Sequence, residues 1–497
     1  MKTARKKSFF FLVAAGLATL CLALLLVACD KAELPSPSSP VPVYDIDLTY
    51  DGGVTAQLKE EILFTNNTDD TLTDISLHLY PNAFAEGASS PPYFAADRDK
   101  FFYDGESFGK IEILSVGLNR KTSEYEICGT DNTILRIPYA PEASETVTLS
   151  VTAALTLPEC NARFGVTEST VNFTGFYPVL CHYENGTPRT DGYTAAGDPF
   201  FSDISSFYVT ADVPEEFVAA SSGEVTESSV TDGTKRMEIT AENVRDFALV
   251  LSEDFEVHTG SAALPSGDVR VNCFCLSDND AEDTLALAAD ALRVFSDAFG
   301  EYPYSAFTVV QAPMGAGGME FGTLVTVDPS VADRTEYERT VVHETAHQWW
   351  FGLVGSDQLN SPWLDEGLTE FSTAYYFRRT GDKTSYGELV SSAAAYYAVY
   401  ERMPSEIGFD SAMNRPLSSY LTNGEYVAVT YCKGLLLFDT LLTLAGEDTM
   451  LRALAEYCSS NAYSVASQAD LSAAFERAGF AAAGIIDSFT SGTVVLS

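Results

Sequence analysis

The stretch Val341–Trp350, VVHETAHQWW, constrains this chain more than any other. Two of the five histidines, His343 and His347, stand four positions apart, and Glu344 directly follows the first. Residues four apart in a helix lie on one face. The rest of the segment is apolar, with Val341, Val342, Ala346, Trp349, Trp350 and Phe351. Such a helix is a buried one, and two imidazoles on a buried helix need polar partners. One metal ion serves both. The H-E-x-x-H spacing is that of a zinc site whose intervening glutamate acts as general base. Imidazole is largely neutral near pH 7, so it binds metal without a large proton cost.

A site of this kind takes a third protein ligand and keeps one position open. The acidic run in NSPWLDEGLTEFSTAYYF, residues 360–377, offers Asp365, Glu366 and Glu370. Glu366 lies nineteen positions after His347, room for a loop and the start of a second helix. Gly367 beside it lets that helix pack closely against a neighbour. Spacing alone leaves the three carboxylates as alternatives.

Two textures surround this motif. From Tyr44 to about His258, short alternating runs such as YDIDLTYDG, LKEEILFTN and TVTLSVTAAL are separated by Asn, Asp, Gly and Pro. They read as an all-β sandwich or a large curved sheet. SAALPSGDV reads as a boundary, which places an N-terminal β domain at 44–260 and a second domain at 261–497. In the second, DVRVNCFCL, FTVVQAP and GTLVTVD read as strands, and AEDTLALAADALRVFSDAFG as an amphipathic helix stopped by Gly300. From Glu336 onward most of the chain reads as helix. The expectation is an α+β multidomain fold, a β-rich half followed by a mainly helical half with a small sheet.

Residues 1–29 read as a targeting segment. Lys2, Arg5, Lys6 and Lys7 precede an uncharged run from Ser8 to Cys29. LVAC, Leu26–Cys29, resembles a bacterial lipobox, whose cysteine carries lipid, and residues 30–43 are a Ser/Pro-rich tether. An extracytoplasmic, membrane-anchored location follows; the alternative is an uncleaved anchor. The chain holds 70 Asp+Glu against 29 Lys+Arg. That charge repels nucleic acid and anionic lipid, so attachment falls to the lipid alone. Beyond Cys21 and Cys29 seven cysteines remain, an odd number without regular spacing, and they read as core thiols. The sequence carries nothing that sets oligomeric state.

HETAHQWW together with WLDEGLTEF resembles the zinc aminopeptidase family of aminopeptidase N and leukotriene hydrolase. That family places its third ligand after eighteen intervening residues, which selects Glu366 here. The resemblance implies a thermolysin-like catalytic domain behind a saddle-shaped β domain, and a single Zn²⁺ held by His343, His347 and Glu366. It further implies a G-x-M-E-N segment whose glutamate binds the substrate's α-amine. Gly317, Gly318, Met319 and Glu320 fit that segment, with Phe321 where the family has asparagine. A tyrosine in a Y-x-K-G context is implied to stabilise the oxyanion. Tyr431, Lys433 and Gly434 match, with Tyr420 and Tyr426 as rivals. LYPNAF, RDFALVLS and FGEYPYSAF extend the likeness to bacterial members. The sequence closes on IIDSFTSGTVVLS, and the expectation is that the helical-repeat domain of larger relatives is missing and the site more open.

The activity so implied is removal of N-terminal residues from extracellular peptides, with Glu344 as general base. The alternatives are a zinc endopeptidase, which needs no amine anchor, and a catalytically weak, lipid-anchored peptide-binding protein.

Overall fold

The computed structural model describes residues 36–276, 281–331, 333–403 and 409–492. The N-terminal run with Cys29 lies outside the described residues.

The alternating runs of the first half become an eight-stranded sheet. Its order is 224–231, 234–244, 205–214, 43–50, 55–65, 146–156, 110–118 and 121–122. Val43–Tyr50 pairs parallel to Ser205–Pro214; the other pairs are antiparallel. Burial alternates along Thr55–Thr65 and Val43–Tyr50, so one face is wet and the other packed. The inner face carries Tyr44, Ile46, Leu58 and Leu149. These pack in one core with Phe173, Leu249, Ile75 and Leu77 of two four-stranded sheets. The sandwich expected of this half is therefore present.

Glu60 breaks the pattern. It lies on the packed face between Ile46 and Val151 of the neighbouring strands, and neither carboxylate oxygen has a hydrogen-bond partner. Burial pushes its carboxyl well above the usual range. A raised folded-state value means stability present at acid pH and lost as pH climbs through that value. Glu60→Leu is therefore expected to stabilise the fold at pH 8 by about 1–3 kcal/mol, with the gain shrinking toward pH 4. Thermal melts across that range check it, and a gain independent of pH would rule the explanation out.

The second half opens on a five-stranded sheet ordered 256–264, 267–275, 306–311, 324–327 and 318–321. The stretch Ser261–Val269, expected to separate two domains, is the hairpin turn between its first two strands. Helix α1 (Ala281–Phe299) crosses between the parallel strands Gly267–Cys275 and Ala306–Gln311. Gly300 ends it at φ 122°. Gly318–Phe321 is an edge strand, antiparallel to Leu324–Val327. The described residues of this half also form helices α2 (Arg334–Ala346), α3 (Glu366–Thr380), α4 (Lys383–Glu401), α5 (Lys433–Ala445), α6 (Glu447–Asn461), α7 (Gln468–Arg477) and α8 (Ala483–Thr490). Asp333 caps α2 by accepting from the Thr335 and Glu336 amides, satisfying donors that open every helix. Among the described residues, Cys128, Cys160, Cys181, Cys273, Cys275, Cys432 and Cys458 form no disulfide, and five of them are buried.

Candidate metal centre

His343 lies on the last turn of α2, and His347 directly follows its final residue, Ala346. The two imidazoles face one another with Nε2 atoms 3.2 Å apart. Glu366 opens α3 and places Oε2 3.3 Å from both Nε2 atoms. Donor atoms of these three residues lie within 4.8 Å of one another, and Glu320, Glu344 and His347 form a second such group. The three acidic alternatives are thereby separated. Asp365 and Glu370 sit behind the histidines. Asp365 Oδ1 is 2.8 Å from His347 Nδ1, and Glu370 Oε2 is 3.1 Å from His343 Nδ1. Carboxylates in that position fix the tautomer and ring direction of a ligating imidazole.

The donor set fits a divalent cation. Burial works against a charged imidazole, yet the Glu366 and Glu370 carboxylates override it and push His343 up to about 10. His347 is raised as well, against burial, by Glu320 and Asp365. A cluster that holds protons so firmly is short of positive charge. Glu344 Oε2 and Glu320 Oε1 are buried without a hydrogen-bond partner. Two imidazoles and one carboxylate, each imidazole backed by a further carboxylate, are zinc chemistry.

Gly318 makes room for Glu344: a Cβ there would fall 2.5 Å from Glu344 Oε1. Met319 is buried, Glu320 points inward at 2 % exposure, and Gly317 accepts from the Asp328 amide. Phe321 turns the other way and lines a small cavity with Tyr80, Phe200 and Asp246. Its side chain belongs to the core between the two halves, so this departure from the family pattern does not enter the carboxylate cluster. Gln348 holds the hairpin in place: its amide donates to Phe321 O at 3.0 Å and accepts from Thr323 N at 3.0 Å.

Tyr431 lies in the turn Val427–Cys432 that leads into α5. Its ring stacks on His343 at 5.8 Å and 14°. Burial raises its hydroxyl well above the ordinary value, and the nearby Glu366 carboxylate adds to this. Of the rivals, Tyr426 stays near the centre, its ring 5.6 Å from that of Tyr431 and its hydroxyl raised by burial and in part by the Glu366 carboxylate. The Tyr420 hydroxyl pairs with Thr430, 3.2 Å away, under the Arg415 guanidinium. Tyr426 is 3 % exposed, with its hydroxyl against Gly197.

The approach of α3 and α5 sets this geometry. A Cβ on Gly434 would fall 2.5 Å from Gly367 Cα, so only two glycines allow the backbones to touch. Gly434→Ala is expected to cost about 1–3 kcal/mol by overpacking and to lower turnover by moving Glu366 away from Tyr431. A melt combined with a rate measurement checks both.

Sequence reasoning missed the contribution of the β-rich half. Asp198 is buried beside Glu366, where desolvation pushes its carboxyl up to about 6, and it pairs with Arg163, which lies over Phe200. Neither residue belongs to a local pattern that spacing could reveal. His347 is 1 % and Glu366 3 % exposed, while His343 is partly exposed.

Residues 284–491 match the model of the Peptidase family M1 domain. Aminopeptidase M1-B of Oryza sativa subsp. japonica is 27% identical over 291 residues, 55% of this chain and 32% of that one. Alanine/arginine aminopeptidase of Saccharomyces cerevisiae is 26% identical over 246 residues, 46% of this chain and 27% of that one. The chain thus spans about a third of the length of these relatives. A variant of the M1 zinc metallopeptidase from Deinococcus radiodurans shares the fold, with TM-score 0.66 and 19% identity over 93% of this chain and 96% of that one. A structure of that variant with a Tyr-Ser-Ala substrate matches with TM-score 0.65, 19% identity and the same coverage.

Proposed function

We propose that this chain, which carries a Peptidase family M1 domain, is a zinc-dependent aminopeptidase that removes single residues from the N-termini of peptides. One observation carries the reading. His343, His347 and Glu366 converge within 4.8 Å, and the unpartnered carboxylates of Glu344 and Glu320 stand beside them.

His343, His347 and Glu366 would hold the zinc. When bound there, the ion supplies Lewis acidity to a water and to the peptide carbonyl. Glu344 accepts the proton of the attacking water and returns it to the leaving amine. Tyr431, stacked on His343, donates its hydroxyl hydrogen to the carbonyl oxygen as negative charge develops. Glu320 takes the substrate's α-ammonium in a charge-assisted hydrogen bond. Gly317, Gly318 and Met319 shape the strand that carries it. An amine fixed at Glu320 brings the first peptide bond, and no later one, to the histidines.

Incubating the zinc-loaded protein with peptides in free and N-acetylated form tests this by mass spectrometry. Stepwise trimming of the free peptides alone is the expected result. Internal cleavage of both forms would make the protein an endopeptidase. For location, we propose a lipid on Cys29, supported by the LVAC motif and the tether that follows. Cys29→Ala should release the protein from the membrane fraction and abolish labelling with a radioactive fatty acid.

A further inference from the structure

The loop between the strands Thr187–Pro188 and Ser205–Pro214 brings a carboxyl group of the β-rich half to the metal centre. It turns at Gly197, Asp198 and Pro199. Gly197 takes φ +60°, in the left-handed region that glycine enters without steric cost. A Cβ there would also fall 2.6 Å from the Tyr426 hydroxyl. The Tyr426 ring is 5.6 Å from that of Tyr431, which stacks on His343. Asp198 is thereby delivered next to the tyrosines that border the histidines, and it is buried there.

Two contacts define what it can do there. The Arg163 guanidinium pairs with its carboxyl group, donates to Gly197 O at 3.4 Å and lies over the Phe200 ring at 5.3 Å. Asp198 in turn donates a hydrogen bond to the Glu366 carboxylate. Among the described residues, Asp198 belongs to neither group of converging donors, His343 with His347 and Glu366, or Glu320 with Glu344 and His347. It therefore touches Glu366 from outside the set that would hold an ion. His347 and His343 have outer partners of the same kind, Asp365 and Glu370. Those two come from the helix that carries Glu366 or from the residue before it, whereas Asp198 comes from the other half of the chain.

We infer that Asp198, held in place by Arg163, positions Glu366 for the metal, so that the β-rich half is a working part of the metal centre. This rests on the zinc reading of His343, His347 and Glu366. A ligand carboxylate without an outer partner samples several rotamers, and ordering it then opposes metal binding. Asparagine at 198 keeps a donor toward Glu366 and an acceptor toward Arg163. Alanine keeps neither. Arg163 acts through Asp198, because the guanidinium fixes where the Asp198 side chain points.

The test is zinc affinity, read on the full chain stripped of metal by competition with a chelator of known strength, beside a thermal melt of the same metal-free protein. Asp198→Ala should weaken zinc binding by about 10- to 100-fold, and Asp198→Asn should recover most of that loss. Arg163→Met should weaken binding in the same direction. Added to Asp198→Ala it should bring no further loss, because a residue that acts only through Asp198 has no effect once Asp198 is gone. Native affinity in Asp198→Ala overturns the assignment. Equal losses in the alanine and asparagine variants, each with a lowered melting temperature, also overturn it and make Asp198 a folding residue. Unchanged affinity with an altered preference for the first residue of a peptide overturns it as well, and gives Asp198 to the substrate. If the alanine variant does not fold, Arg163→Met decides, and native affinity there overturns the assignment. If the native chain itself takes up no zinc, the zinc reading fails, and this is seen before any variant is compared.

Discussion

Glu344→Gln is expected to lower kcat by on the order of 10²–10⁴-fold, the contribution of a positioned general base, while zinc stays bound at one ion per chain. The side chain is 5% exposed, and its Oε1 lies flat against Gly318. Burial pushes its carboxyl up to about 7, with His343 and His347 pulling it back. A carboxylate in that range suits proton transfer near neutral pH. Glutamine keeps the shape, so α2 and the Gly318 contact survive; what disappears is the ability to accept a proton. Metal content by atomic absorption and single-turnover rates together decide the matter. A variant within about ten-fold of native turnover with zinc in place would remove Glu344 from the mechanism. Loss of zinc in the same variant would instead make Glu344 part of the metal's own binding group.

The second large effect belongs to Glu320. Glu320→Ala should reduce kcat/KM on peptides with a free amine by about 30-fold to about 5,000-fold, equivalent to about 2–5 kcal/mol. Two causes act together. The ammonium loses its counter-charge, and the peptide loses the point that sets its position over the histidines. Desolvation holds the Glu320 carboxyl well above its usual range, against the pull of His347, so an incoming ammonium spends part of its pairing energy on ionising it. N-acetylated peptides have no ammonium to lose, so any residual cleavage of them should be unaffected. Equal losses on both peptide forms would mean that Glu320 supports the hairpin and does not read the amine.

Much of this site was legible because its chemistry demands fixed spacing within single helices. His343, Glu344 and His347 share one turn, and Gly367 announces the close helix crossing that Gly434 completes. The sandwich was legible from alternation, since Thr55–Thr65 buries every second residue. Three things were not. Spacing could not rank Asp365, Glu366 and Glu370, because all three lie at the start of one helix and differ only in which imidazole nitrogen they meet. Asp198 and Arg163 approach from the β-rich half through tertiary packing. SAALPSGDV looked like a join because a tight hairpin and a linker use the same small and turn-forming residues.

The Gln348 amide bonds have a consequence for how far the protein advances along a chain. The residue after His347 grips the hairpin next to Glu320 at two backbone points. The proposed amine anchor, Glu320, and the proposed ligand His347 are thus tied together through their chain neighbours. That tie would set the interval between anchor and cut. On the aminopeptidase reading proposed above, the stride would be one residue long whatever the peptide, and each new step would require the shortened chain to let go and seat its fresh terminus again.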